Sequence, residues 1–374
     1  MRITVLAVPP LLNVIHADLH LDEKTVGALT SLPTLLFSVA AVAGALLISR
    51  IGARRAVVAG LLLTAVAGAL RGVGPSVAAL FGFTLLMGIG ISLVQPAFPA
   101  LVRIWAPTQI ALATALYSTG LLIGESVPPL LTAPLVLPGT GSWEATLAAW
   151  SIPVVAGAVL IALLTRDRSP APDAAPRRWW PDWRSGRVWL LGLMLGSDSA
   201  LYWSCNAFIP QYLLHTGRAG LVAPALVALN AGQVPAGLVI ALLPRMVVRR
   251  SAYWIPGLLC IAGVLALVLG PGWTPVPAAA ALGFFAGWIF VLSLALPPLL
   301  AEPGDVARLA AAMYTITYVC SFLAPVLGGT AWDHTGRPPF AFAPALVATV
   351  ALTLLAAGLR LPRHATAPVA VAPA

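Results

Sequence analysis

Residues 34–72 read TLLFSVAAVAGALLISRIGARRAVVAGLLLTAVAGALRG: an apolar run, a basic turn at 49–55 (SRIGARR), and a second apolar run. A helix needs about 20 mostly apolar residues to cross the hydrocarbon core of a bilayer, and three arginines in seven residues belong outside it. The stretch therefore reads as two membrane spans joined by a short loop. The rest of the chain repeats the pattern. Of 374 residues, 60% are hydrophobic and 9% charged, where soluble domains carry about 25% charged residues. With a mean hydropathy of +0.94, the sequence excludes a single water-soluble core and implies many spanning helices.

Apolar stretches between charged or Pro/Gly breaks fall at 1–17, 25–48, 56–73, 77–102, 109–135 and 145–165, then at 188–214, 219–243, 252–270, 275–300, 307–330 and 339–359. Between the two sets lies RDRSPAPDAAPRRWWPDWRSGR at 166–187, rich in Pro, Arg and Asp, which cannot span a bilayer. The expected organisation is an N-terminal six-helix half (1–165), a cytoplasmic linker (166–187), a C-terminal six-helix half (188–361) and a cytoplasmic tail (362–374). Trp179, Trp180 and Trp183 in the linker suit the membrane interface.

The net charge of +9 raises the question of nucleic acid, and the placement of the charges answers it. The basic residues sit in gaps between apolar runs and form no stripe interleaved with aromatics, so no nucleic-acid partner is expected. Placing both termini in the cytoplasm puts 17 of the 21 Lys and Arg inside, Arg2, Arg50, Arg54, Arg103, Arg245 and Arg249 among them, and leaves Lys24, Arg71, Arg218 and Arg337 outside. The opposite orientation inverts the positive-inside bias. Cys205, Cys260 and Cys320 lie singly in apolar runs and read as small buried hydrophobes. The first 15 residues superficially resemble a signal peptide, but the next span follows closely and no small-residue cleavage site precedes a soluble domain, so they read as part of the first helix.

The two halves resemble copies of one another. SRIGARR after span 2 answers PRMVVRR at 244–250 after span 8, an offset of 195 residues (Arg55 to Arg250). Tyr117 with Pro128 in span 5 answers Tyr314 with Pro325 in span 11, an offset of 197, and Pro99 answers Pro297 at 198. Collinear matches at nearly constant offset are the mark of a carrier built from repeats. Pro10 in span 1 answers Pro210 in span 7 at an offset of 200. The counterpart of the start of span 7 then falls about a dozen residues before Met1, so span 1 is expected to be truncated as given.

These features resemble the major facilitator superfamily, and within it the cyanate and nitroimidazole transporter family (the CynX/NimT type). The loop at 49–55 falls where the superfamily's signature loop lies, matching at Arg50, Gly52 and Arg54, while Ser49 stands at its acidic position. Leu32-Pro33, Arg71 and the span 4 exit Pro99 to Arg103 are similar to the narrower family. So are Tyr202 followed by Ile209-Pro210-Gln211-Tyr212-Leu213, and Tyr318, Pro325, Gly328, Asp333 and Thr335-Gly336. The resemblance implies an all-α membrane protein of twelve transmembrane helices in two halves, with a cavity lined mainly by spans 1, 4, 7 and 10. Arg50, Gly52, Arg54, Arg245 and Arg249 would serve as gating loops.

Charged residues inside a membrane are the places to look for function. Asp198 lies about ten residues into span 7, about 15 Å deep at 1.5 Å per residue, near the midplane. It shares a helix face with Tyr202 and Asn206 at i+4 and i+8. This stripe is expected to bind solute and carry a coupling proton; alternatively Ser197, Ser199 or the backbone simply holds the acid. Glu125 in span 5 is the second intramembrane acid. A carboxyl group withdrawn from water holds its proton more readily, as a proton carrier requires, and the repeat counterpart Phe322 shows that the scaffold does not demand an acid. The bland alternative is a Glu solvated near the outer interface.

Gln95, Tyr117, Asn230, Gln233, Trp288 and Tyr318 offer polar and aromatic surface for a small planar or polar solute, though each alone suits interhelical packing equally well. Gly120 with Gly124, and Gly283 with Gly287, have the spacing of close helix contacts. No Lys or Arg falls at mid-depth in the cavity-forming spans, so a neutral or weakly basic solute, such as a nitroimidazole-like compound, is preferred over cyanate or another small anion.

His16, Asp18, His20, Asp22 and Glu23 form an outer loop read as an ordinary polar connection with no metal. No catalytic cluster or nucleophile motif stands out, and neither enzyme activity nor a cofactor is expected. Single acids in a two-half duplication do not suit a channel; a transporter-like receptor is the remaining alternative. The reading is a monomeric, proton-coupled secondary transporter of the bacterial inner membrane that works by alternating access. Its partners are a small-molecule substrate, protons and the lipid bilayer.

Overall fold

The computed structural model describes residues 1–20, 23–74, 76–165, 178–302 and 304–361, and the backbone alone at 13 and 23–35. The linker residues 166–177, the tail 362–374, Asp22, and the side chains of Glu23, Lys24, Leu32 and Pro33 lie outside the described residues.

Among the described residues, twelve helical segments follow one another. α1 is Arg2–Leu11 continued by Leu12–Leu19, α2 is Glu23–Ile51, α3 Ala53–Leu70, α4 Val77–Trp105, α5 Ile110–Thr140 and α6 Trp143–Leu164. α7 is Gly186–His215, α8 Ala219–Leu242, α9 Ser251–Leu269, α10 Pro275–Leu300, α11 Val306–Thr335 and α12 Pro338–Ala357. Nine of those described, α3 to α6 and α8 to α12, are long and apolar enough to cross a membrane. Their outer faces confirm the solvent they are built for: Leu164, Leu242 and Leu269 are 77%, 80% and 75% exposed, suited to lipid and unfavourable in water.

Local chemistry sets the boundaries. Ser76 and Ser142 cap α4 and α6 by accepting from the backbone N–H groups of Ala79 and Ala145, each at 3.2 Å. Gly52, at φ +84°, makes the one-residue turn between α2 and α3, a left-handed-side geometry that a side chain would strain. Pro9 and Pro10 have no N–H to continue α1, which narrows there to a 3-10 turn. α5 passes through a π-helical stretch at Thr132–Val136.

The chain forms two compact units. One comprises Met1–Ala100, Gly120–Asp182 and Ala307–Tyr318; the other comprises Leu101–Thr119, Trp183–Val306 and Val319–Ala374. In the first, α4 packs on α2 and on α3, and α3 packs on α6. In the second, α10 packs on α8 and on α9, and α9 packs on α12. The pairings are identical after a shift of six helices, which is the duplication read from the sequence expressed in three dimensions.

The two GxxxG spacings part company. A Cβ at Gly283 would collide with the Leu229 carbonyl oxygen, and one at Gly287 would lie 2.9 Å from Gln233 Cα, so α10 and α8 touch backbone to backbone. At Gly120 a Cβ would meet nothing within 4 Å, and at Gly124 only ordinary contacts at 3.5 Å or more; the close-contact expectation fails there because that face of α5 carries no tightly packed neighbour. Gly283→Ala should therefore lower stability by about 1 to 3 kcal/mol through overpacking, while Gly120→Ala leaves it unchanged or slightly raised. Thermal unfolding of the two purified variants checks this, and equal midpoints would refute the seam.

Candidate functional site

In the first unit, a buried polar cluster forms around the head of α1. Ala7, Val8, Leu11 and Ile15 pack against Trp143, Leu147 and Trp150. The Arg71 guanidinium, 1% exposed, ties the same segment down, its Nη2 donating to the Thr4 carbonyl at 2.7 Å and its Nε to the Gly68 carbonyl at 3.3 Å. With α1 fixed in this way, Arg2 points into the unit. Its Nη1 lies 3.2 Å from Glu125 Oε1, and its Nη2 donates to the Tyr318 hydroxyl at 2.7 Å. That hydroxyl donates onward to Gln95 Oε1 at 2.5 Å. Arg2 Cζ lies 5.7 Å from the Phe37 ring centre and 5.9 Å from that of Tyr318, and Tyr314 stacks on Tyr318 at 6.2 Å. A guanidinium withdrawn from water needs both charge compensation and hydrogen-bond acceptors. Glu125 supplies the charge; Tyr318, oriented by Gln95, supplies an acceptor.

Two expectations are corrected here, for Arg2 and Arg71, and the bland alternative for Glu125 is set aside. Arg2 is not a cytoplasmic flanking residue: its side chain is 9% exposed and ion-paired inside the helices. Arg71 is likewise a buried tether rather than an outer-loop cation. Glu125, with a side chain 13% exposed and opposed by a guanidinium, is not a solvated interfacial acid. The positive-inside rule sorts arginines by their nearness to span ends, and both arginines sit at such ends in sequence while folding inward to satisfy neighbouring elements.

One signal for Arg2 was present in the sequence. The offset of 200 that pairs Pro10 with Pro210 also pairs Arg2 with Tyr202, the centre of the stripe singled out in span 7.

In the second unit that stripe acquires a partner from α8. Tyr202 Oη donates to Asn230 Oδ1 at 2.6 Å, Asn230 Nδ2 donates to Asn206 Oδ1 at 3.0 Å, and Asn206 Nδ2 donates to the Tyr202 carbonyl at 3.0 Å. One turn earlier on α7, Asp198 is 3% exposed and its Oδ1 has no hydrogen-bond partner among the described residues. The structure thus joins Tyr202, Asn206 and Asn230, and leaves Asp198 beside them as a buried carboxyl group.

The remaining candidates have structural engagements. Trp288 Nε1 donates to the Ala252 carbonyl at 2.8 Å, linking α10 to α9. Gln233 is buried where Gly287 lets α10 approach α8. Tyr117 is partly buried on α5. Among the loop residues, Arg54 donates to the Thr165 hydroxyl at 3.0 Å and to the Ala162 carbonyl at 2.5 Å, clamping the end of α6, whereas Arg50, Arg245 and Arg249 are exposed. Asp18 accepts from Trp143 Nε1 at 2.9 Å, and among the described residues no three His, Cys, Asp or Glu gather as a metal site.

Among the described residues, nine helices long and apolar enough to cross a membrane, in repeated packing and with ionisable and amide side chains withdrawn into each unit, define a multi-pass membrane transport protein. The sequence profile of the Major Facilitator Superfamily matches residues 2–325, and the chain belongs to that superfamily. It is a secondary transporter, not an enzyme. It is 26% identical to the cyanate transport protein CynX of Escherichia coli (strain K12), with 97% of this chain and 96% of that protein covered. It is 28% identical to the 2-nitroimidazole transporter of the same organism, with 90% and 86% covered. Its fold is similar to that of the E. coli fucose:proton symporter FucP, with a TM-score of 0.74 at 14% identity over 96% of both chains.

Proposed function

We propose that the chain is a proton-coupled carrier of a small planar solute that bears, or readily takes on, negative charge, and that it works by alternating access. The observation that carries this reading is the Arg2–Glu125 pair. Spacing alone disfavours a small anion for want of a Lys or Arg at mid-depth, and the buried Arg2 offers a guanidinium together with a titratable partner. The relatives' names refer to cyanate, a small linear anion, and 2-nitroimidazole, a small planar ring, and both are flat enough to lie against a guanidinium. Asp198 and Glu125 are assigned the coupling protons, and Tyr202, Asn206 and Asn230 are assigned to solute binding.

The proposed setting is a bacterial inner membrane, with the 166–187 linker and the C-terminus cytoplasmic and the halves dividing at that linker. Removing Arg2 and Arg71 from the loop count leaves sixteen basic residues inside and three outside, so the charge asymmetry that orients the chain survives.

Solute-evoked proton flux in proteoliposomes with an internal pH dye tests the reading, with cyanate, 2-nitroimidazole and small weak bases as probes. Acidification evoked by cyanate or 2-nitroimidazole is the expected result; a response to weak bases alone, or to nothing, overturns it. Asn206→Leu removes the acceptor held by Asn230 and should weaken the apparent affinity for the responding probe about tenfold, the worth of about one hydrogen bond. Undiminished affinity would assign Asn206 to packing.

A further inference from the structure

We propose that Arg2 and Glu125 form a proton-gated anion site, in which a proton taken up by the Glu125 carboxylate releases the Arg2 guanidinium to a small planar anion. The inference rests on the reading of the chain as a proton-coupled carrier and specifies how proton and solute are linked.

The geometry divides the guanidinium into a part that is held and a part that can change partner. Nη2 is anchored to Tyr318 at 2.7 Å, and Tyr318 is itself fixed by its bond to Gln95 at 2.5 Å. The Phe37 and Tyr318 rings lie 5.7 and 5.9 Å from Cζ. Nη1 faces Glu125 Oε1 at 3.2 Å, longer than the 2.7–2.9 Å of a strong charge-assisted bond. An incoming planar anion would therefore replace the Glu125 carboxylate at Nη1. Gln95 Nε2, buried and without a hydrogen-bond partner among the described residues, is a second donor in the same cluster.

Charge conservation supplies the gate. With Glu125 ionised the pair is neutral, and an added anion would leave one uncompensated negative charge in a buried site, which is strongly disfavoured. With the proton on Glu125, anion and guanidinium form the neutral pair instead. At this site one proton enters per anion: it converts the Glu125 carboxylate to a carboxyl group, no covalent bond to the solute forms, and both charges leave together. The ionisable groups facing Glu125 among the described residues are Arg2 from α1 and Tyr318 from α11, and the Met1 amino group lies within electrostatic reach of Arg2. Of these, Glu125 is the acid opposed directly to the guanidinium.

The test is calorimetric binding to the detergent-purified full chain between pH 5 and 8, in buffers of different ionisation enthalpy, with cyanate, formate and 2-nitroimidazole as probes. At least one anion should bind with uptake of one proton, its affinity falling tenfold per pH unit where Glu125 is ionised. Glu125→Gln should bind the anion without proton uptake and with an affinity flat in pH, and Arg2→Gln should lose at least a hundredfold. Should Glu125→Gln fail to fold, the proton count on the unmodified protein still decides. Anion binding without proton uptake, or no binding by any probe, overturns the proposal. Failure of the broader carrier reading shows separately, as absence of probe-evoked proton flux in proteoliposomes.

Discussion

Arg2→Gln abolishes solute flux and lowers stability, Glu125→Gln lowers stability further, and the double variant Arg2→Gln/Glu125→Gln regains most of the stability and none of the flux. This order follows from what each substitution leaves behind. Removing one member of a buried ion pair costs about 3 to 5 kcal/mol because the other charge stays uncompensated. A stranded carboxylate can shed its charge by taking a proton, whereas a guanidinium stays charged at any accessible pH, so loss of the acid costs more than loss of the base. Replacing both removes the charges and keeps two amide groups of similar shape, which restores neutrality. Thermal unfolding of the four proteins, read beside flux in proteoliposomes, checks the cycle. Additive effects on stability would mean that the 3.2 Å contact contributes no coupling, and flux in the double variant would remove the pair from the transport machinery.

The helical plan was legible because it depends on bulk properties. Spans predicted at 77–102, 275–300 and 307–330 appear as Val77–Trp105, Pro275–Leu300 and Val306–Thr335, since hydrocarbon thickness and breaks by charge, Pro and Gly set their lengths. The duplication was legible too, and reappears as helix pairings shifted by six. What hydropathy could not convey is which way an individual side chain turns. Arg2 and Arg71 are near span ends in sequence, and whether such a cation reaches water or folds inward depends on a carbonyl at Thr4 and a carboxylate at Glu125, 67 and 123 residues away in the chain. Tyr202 and Asn206 share one helix and therefore a fixed register, so their common face could be read from spacing, yet spacing could not name Asn230 as the amide that joins them. For Gly120 the spacing was present and the neighbour was not, so GxxxG without a partner helix was uninformative.

Asp198→Asn should fold as well as the unmodified protein and lose the electrical component of transport. Asp198 is 3% exposed, with Oδ1 unpartnered among the described residues and Ser197 and Ser199 buried on either side. An ionised carboxylate at the centre of a membrane helix costs about 2.5 to 3.5 kcal/mol on insertion scales, and asparagine imitates the uncharged acid in shape without that cost. With Glu125 taking one proton per anion and Asp198 a second, the unmodified carrier moves one net positive charge per cycle. The variant keeps the Glu125 proton and moves none. At a potential of 100 mV, one elementary charge is worth about 2.3 kcal/mol, so the attainable concentration ratio of solute should fall nearly fiftyfold, by about 1.7 powers of ten at 1.36 kcal/mol each. Potassium diffusion potentials imposed with valinomycin isolate this term from the pH gradient. Accumulation that still follows the potential in Asp198→Asn would assign the second proton elsewhere. A variant that keeps its electrical response but melts lower would make Asp198 a structural acid, because only a packing or hydrogen-bonding role reads out in stability while leaving the moved charge unchanged.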